Sequence, residues 1–189
     1  MSILADLVPD EIRGIRRAEY DRMVDSGALE DERIELLQGI IVRMSPQGSP
    51  HAWSIRRLNT ILVPALLGRA EVQQQLPLAL GDWSEPEPDI SVVPVVESSR
   101  AHPTRAFLVV EVAHSSLRID LRVKVPIYAA AGVPEVWVVD VVRGVVHVHR
   151  EPREGEFATV FEAGREDRLT LVAFPDVSVG VADFIDFER

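Results

Sequence analysis

The sequence predicts a single α+β, or mixed α/β, domain built on a central sheet with flanking helices. Three observations lead to this reading. A chain of 189 residues is one domain long, and such a chain buries roughly 70% of the surface it exposes when unfolded. Its hydrophobic periods run helix, hairpin, helix, then mostly strands with one embedded helix. No internal repeat, low-complexity stretch or long linker divides it, so one domain is expected over residues 1–189.

Each element has a local cause. Residues 10–26 place Ile12, Ile15, Met23 and Val24 near helical spacing, with Gly27 as the stop. Residues 33–44 read as two strands around a Gln38-Gly39 turn. Ser49-Pro50 is a helix start, and Ile55, Leu58, Leu62, Ala65 and Leu66 share one face until Gly68. Pro64 should kink the late part of that helix. Residues 71–80 form a strand pattern interrupted by Pro77. The runs 88–93, 106–112 and 135–141 are apolar enough for buried strands. Asp120 is read as the cap of a helix through about Ala131, closed by Gly132 and bent by Pro126. The segments VVHVHR, FATVFE and LTLV read as more exposed strands, and VADFIDF as a closing helix.

Composition excludes several classes. With no cysteine, disulfides and thiolate metal sites are ruled out. No apolar run approaches the roughly 20 residues of a membrane span. The N-terminus lacks a basic start followed by a long apolar core, so a cytoplasmic location is expected. The net charge of −10 argues against coating nucleic acid by bulk electrostatics. It leaves room for an enzyme that carries a metal ion, or a local basic surface, to a phosphate.

Of the 20 basic residues, Lys124 alone is lysine. Either a nucleotide bias left one lysine behind, or position 124 needs a compact ammonium that the planar guanidinium cannot imitate. Two carboxylates also stand where charge is unexpected. Asp89 opens an apolar strand, and Glu111 lies inside the run Phe107-Leu-Val-Val-Glu-Val. A buried carboxylate is costly unless it is paired or binds a metal. Two on neighbouring strands repel each other, and a divalent cation between them removes the conflict. Two acids, a hard cation and one amine suffice for metal-assisted hydrolysis of a phosphodiester. The competing reading has Asp89 solvated at a strand end and Glu111 bridged to Lys124 or an arginine.

The ordered set Glu-Pro-Asp89-Ile-Ser-Val-Val, Leu-Val-Val-Glu111-Val-Ala-His-Ser-Ser, Asp120-x3-Lys124-x3-Tyr128 and Gly132-Val-Pro-Glu-Val-Trp137 resembles the Uma-type restriction endonuclease family. That family is a branch of the PD-(D/E)XK nuclease superfamily. Glu35-Leu-Leu-Gln-Gly39 and Ser49-Pro-His51 are similar to the family's N-terminal part, so the resemblance spans about residues 33–185. It implies a restriction-endonuclease-like fold, a mixed sheet flanked by helices. It implies a Mg²⁺ or Mn²⁺ ion held by Asp89, Glu111 and the main-chain carbonyl of Val112, with Lys124 as the catalytic lysine and DNA as the substrate. The superfamily lysine lies two residues after the acid; here that position is Ala113, so the ammonium must arrive from the following helix.

Other residues keep two readings. Glu35 either faces the metal or is a charge on the open side of a hairpin. His51 either contacts phosphate or metal or, the favoured reading, bonds backbone at its helix start. Gln73 and Gln75 share a strand face that could point at the cleft. His147 and His149 share a strand face read as exposed. Tyr128 and Trp137 are read as core or interface residues. A homodimer is expected of a small nuclease that cuts both strands. The alternative function is a non-catalytic binding or regulatory protein on a nuclease fold. A third reading keeps the site and changes the substrate to RNA or a nucleotide.

Overall fold

The computed structural model describes residues 13–30, 32–95 and 101–187. Helix α1 (Arg17–Asp25) precedes a hairpin of β1 (Ile34–Leu37) and β2 (Ile40–Arg43). Helix α2 (Ser49–Leu66) and strands β3 (Glu71–Gln73), β4 (Ile90–Val93) and β5 (Leu108–Ala113) follow. A helical crossover of α3 (Leu117–Ile119), a π-helical turn (Asp120–Lys124) and α4 (Val125–Ala130) leads to β6 (Glu135–Asp140). Strands β7 (Val145–Arg153) and β8 (Glu156–Ala163) come next, then the short pair β9 (Arg168–Thr170) and β10 (Ser178–Gly180).

Six strands form the central sheet in the order β3-β4-β5-β6-β7-β8. Only β5 and β6 run parallel, and the crossover between them supplies the helix that parallel neighbours require. The expected mixed sheet flanked by helices is therefore present. Alternation along β5 decides what each face receives. Leu108, Val110 and Val112 join the core under α2, with Ile55, Leu58, Leu62 and Leu66 of that helix. Each such aliphatic burial contributes about 1.5–3 kcal/mol. Val109 and Ala113 turn to the other face, beneath Val125, Ile127 and Tyr128. Glu111, between them, is carried to that second face.

The hairpin turn needs left-handed backbone at both central residues, and Gln38 (φ 50°) and Gly39 (φ 81°) supply it. A Cβ on Gly39 would also lie 3.1 Å from the Trp83 ring. Alternation in β1 sends Ile34 and Leu36 toward Tyr20 of α1, and Leu37 toward the α4-side core. Glu35 shares the side of Leu37.

Several sequence expectations are corrected. The first helix begins at Arg17, not residue 10; residues 10–12 lie outside the described residues. Residues 13–16 are not helical because Ile15 N–H donates to the Gly39 carbonyl at 2.8 Å, holding the chain against the hairpin. The strand expected over 71–80 ends at Gln73. Gln75 adopts a left-handed φ of 52°, and Pro77 has no N–H to give a ladder. Asp120 does not cap its helix: the N-cap is Ser116, whose hydroxyl donates to Asp120 Oδ2 at 2.7 Å. Pro126 is accommodated behind the wide π turn, in which Val125 N–H reaches back to the Asp120 carbonyl. The closing helix is one 3₁₀ turn, Val181–Asp183. There the chain opens out and Phe184 stacks on Trp137 with ring centroids 6.4 Å apart. LTLV contributes β9, which pairs with β10 rather than extending the main sheet. Among the described residues no helix is long and apolar enough to cross a membrane.

Candidate active site

Four separate segments bring carboxylates to one cavity of about 90 Å³. Glu35 comes from β1, Asp89 from the turn into β4, Glu111 from β5 and Asp120 from the π turn. All four are buried, as is Lys124, which enters from the end of the π turn. His51 reaches the cavity from the first turn of α2.

Lys124 is the centre of this arrangement. Its Nζ lies 2.9 Å from Glu35 Oε2 and donates to Glu111 Oε1 at 3.2 Å. Tyr128, one helical turn further on and fully buried, donates its hydroxyl to the same Glu111 oxygen. Asp89 is tied down separately. Its Oδ2 accepts from Val112 N–H at 2.8 Å, and its Oδ1 lies 2.9 Å from His51 Nε2 and 3.4 Å from Gln75 Nε2. The register explains the first bond. The β4–β5 ladder runs from Leu108 to Val110, so β5 outlasts its partner and Val112 meets the Asp89 side chain instead. Glu35 also accepts from Glu87 N–H at 3.2 Å.

Four buried carboxylates share one buried ammonium, so negative charge is in excess. Glu111 is held well above the usual carboxylate range, first by burial and then by Asp120, Asp89 and Glu35, with Lys124 opposing. Asp120 is pushed up to about 6 by burial, against the pull of Lys124 and of the Ser116 hydrogen bond. Burial works against the Lys124 ammonium, but Glu111, Glu35 and Asp120 outweigh it and hold its pKa above lysine's ordinary range. Lys124 therefore keeps its proton. Tyr128 is also pushed up, by burial and by Glu111 and Glu35, so it stays a donor.

The donor set fits a hard divalent cation: its carboxylates are buried oxygen ligands and it contains no soft ligand. Among the described residues no three acidic or imidazole side chains already stand together in coordinating geometry. Lys124 holds Glu35 and Glu111 by ion pairs, while Val112, His51 and Gln75 engage Asp89.

Asp89, Glu111 and Lys124, singled out from the sequence, thus meet at one cavity. Of the paired readings, Glu35 is not a charge on an open hairpin face, because it is 3% exposed and ion-paired. The favoured reading of His51 as bonding backbone is overturned, since its ring engages Asp89. Asp120 and Lys124 do not pair directly; Lys124 turns to Glu35 and Glu111. Gln75 reaches Asp89, whereas Gln73 keeps a buried, unpartnered Oε1. His147 and His149 are not on an exposed face. His149 is buried beside Phe157, and burial, helped by His147, lowers its pKa to about 4. Asp120, read from the sequence as a helix cap, and Tyr128, read as a core or interface residue, are the site residues that sequence reasoning missed. For Tyr128, its place four residues after Lys124, on the same helical face, was the available signal.

Comparison with known proteins agrees with this fold. A solved structure described as a putative nuclease belonging to DUF820, from Anabaena variabilis ATCC 29413, shares the fold with a TM-score of 0.61. The two chains are 17% identical, with 80% of this chain and 88% of the other aligned. No curated protein matches the chain. Residues 17–182 match the family described as "Putative restriction endonuclease", Uma2. That match takes in both core faces, the sheet and every residue around the cavity, and the chain belongs to this restriction endonuclease family.

Proposed function

We propose that this protein is a Mg²⁺- or Mn²⁺-dependent endonuclease that hydrolyses DNA phosphodiester bonds at the Asp89–Glu111–Lys124 cavity. The observation that carries the reading is the convergence of these three buried side chains, with buried Glu35, from distant segments onto one acidic cavity. Asp89 and Glu111 would hold the ion, with the Val112 carbonyl as a further ligand. Strand geometry favours that carbonyl, because an extended residue sends its C=O to the same side as its N–H, and the Val112 N–H faces Asp89. The bound ion would polarise the scissile phosphate and lower the pKa of the attacking water.

The chain's own residues do the rest. Lys124 retains its proton, so it stabilises charge growing on a phosphoryl oxygen rather than acting as a base. Glu35 and Glu111 together hold the ammonium in place. His51 orients Asp89. Arg33 and Arg43 line the same cavity and would meet the flanking phosphates. A homodimer would offer one such cavity to each strand of a duplex.

Calorimetry with Mn²⁺ tests the reading without a guess at the DNA sequence. Wild type should bind, folded Asp89→Asn should not, and Glu111→Ala should fail to nick a supercoiled plasmid. Cleavage by pure, folded Glu111→Ala would remove the assignment.

A further inference from the structure

We propose that Tyr128 is a positioning residue for Glu111: its hydroxyl sets the orientation in which that carboxylate meets a divalent cation. The inference rests on the reading of Asp89 and Glu111 as the cation's ligands. Tyr128 is fully buried beneath the α4 side of the sheet, among Val125, Ile127 and Val138. A phenol in such a place requires a partner for its hydroxyl, and the partner it has is Glu111 Oε1.

That oxygen is shared. Lys124 Nζ donates to Glu111 Oε1 at 3.2 Å and lies 2.9 Å from Glu35 Oε2. The ammonium is on a flexible stem and divides itself between two acids. The phenol is different: its ring is packed into the core, and its hydroxyl has one short bond to one oxygen. If Lys124 swings toward a phosphate, Tyr128 still holds the plane of the Glu111 carboxylate. The arrangement repeats on a smaller scale the way Val112 N–H and His51 hold Asp89. Outer partners of this kind fix ligand orientation, and their loss typically weakens metal affinity 10- to 100-fold. The spacing is also right. Lys124 and Tyr128 stand four residues apart, so the π turn that delivers the lysine and the helix that delivers the phenol aim both at one side of β5.

Tyr128→Phe keeps the ring and deletes the hydroxyl. Circular dichroism and thermal melting should show it folded, and Mn²⁺ calorimetry should show a dissociation constant about 10- to 100-fold above wild type. With substrate DNA, kcat should fall while KM stays near its wild-type value, since no substrate contact is lost. A purely structural role would lower the melting point and leave the Mn²⁺ affinity of the folded fraction unchanged. That result would overturn the proposal while wild-type binding, lost in Asp89→Asn, keeps the metal reading intact. If wild type fails to bind Mn²⁺, both ideas fall together. If Tyr128→Phe does not fold, Tyr128→Met keeps the apolar volume and is measured in its place. Failure of both variants to fold would assign the hydroxyl to stability and overturn the proposal.

Discussion

Lys124→Met removes the one buried cation from a cavity that holds Glu35, Asp89, Glu111 and Asp120. Methionine fills much the same apolar space, so the change is mainly one of charge. Wild-type Lys124 is ion-paired at 2.9 and 3.2 Å to two carboxylates that are themselves almost wholly buried. Breaking such a pair from one side leaves uncompensated buried charge and costs about 3–5 kcal/mol. For a chain of this size 1 kcal/mol moves the melting point by roughly 2–4 °C, so a fall of roughly 6–20 °C is expected. The sign with pH follows from the raised Glu111 carboxyl. In the variant its folded-state pKa rises further above the ordinary 4.5, so stability falls as pH climbs past that value. The gap to wild type should be widest at about pH 8. It should close toward pH 4.5, where the unfolded carboxyls also take up protons. Mn²⁺ at a hundredfold its dissociation constant should return about 2.7 kcal/mol, as binding to the native state alone requires. Differential scanning fluorimetry across pH, with and without Mn²⁺, reads all three effects. A melting point at about pH 8 within about 2 °C of wild type would refute the reasoning, because so small a shift is under about 1 kcal/mol.

Two further outcomes follow from buried acids. Asp120 holds its proton up to about 6 in the folded state and loses it at 3.8 when unfolded, so wild type loses stability as pH rises through that interval. Asp120→Asn keeps an acceptor for Ser116 and removes the titration; urea midpoints should show it more stable above pH 6, by on the order of 3 kcal/mol at most, and equal to wild type near pH 3.8. Glu135 is fully buried and accepts from Trp137 Nε1 at 2.9 Å, Arg150 Nε at 2.8 Å and Val172 N–H at 2.8 Å. Glu135→Ala should cost about 3–5 kcal/mol in urea unfolding. It should leave Mn²⁺ affinity of the folded protein unchanged, since alternation places Glu135 on the sheet face opposite Glu111.

The parts of this molecule that were legible in the sequence are those where a residue breaks a local rule. Glu111 in an apolar strand, Asp89 at the head of another and a lone lysine among arginines all defy the cheapest choice at their positions. The Gln38-Gly39 turn and the Ser49-Pro50 helix start were legible because their causes lie within a few residues. What escaped has tertiary causes. The bond between His51 and Asp89 joins residues 38 apart, and no local pattern at a helix start announces it. Tyr128 obeys the rule for a core aromatic so well that its hydroxyl's partner was invisible. The π turn adds one residue of slack to a helix, a change that a 3.6-residue period absorbs without trace. The ends of the first helix and of β3 were misplaced because Gly39, Pro88 and Asp82 hold the backbone there from across the fold.

The parallel step between β5 and β6 bears on how this protein is born. A ribosome delivers the chain from its N-terminus, and Glu35, Asp89, Glu111 and Lys124 have all emerged before Glu135. Yet β5 becomes an interior strand only when β6, at residues 135–140, closes the crossover beside it. Until then the ribbon carrying Glu111 has a bare edge, and the crossover has only β3, β4 and β5 to lie on. The acidic cavity is thus completed beside a strand, β6, that contributes none of its side chains. A nascent chain that has not yet delivered β6 therefore carries every acid of the cluster and its lysine without the neighbour that makes β5 an interior strand.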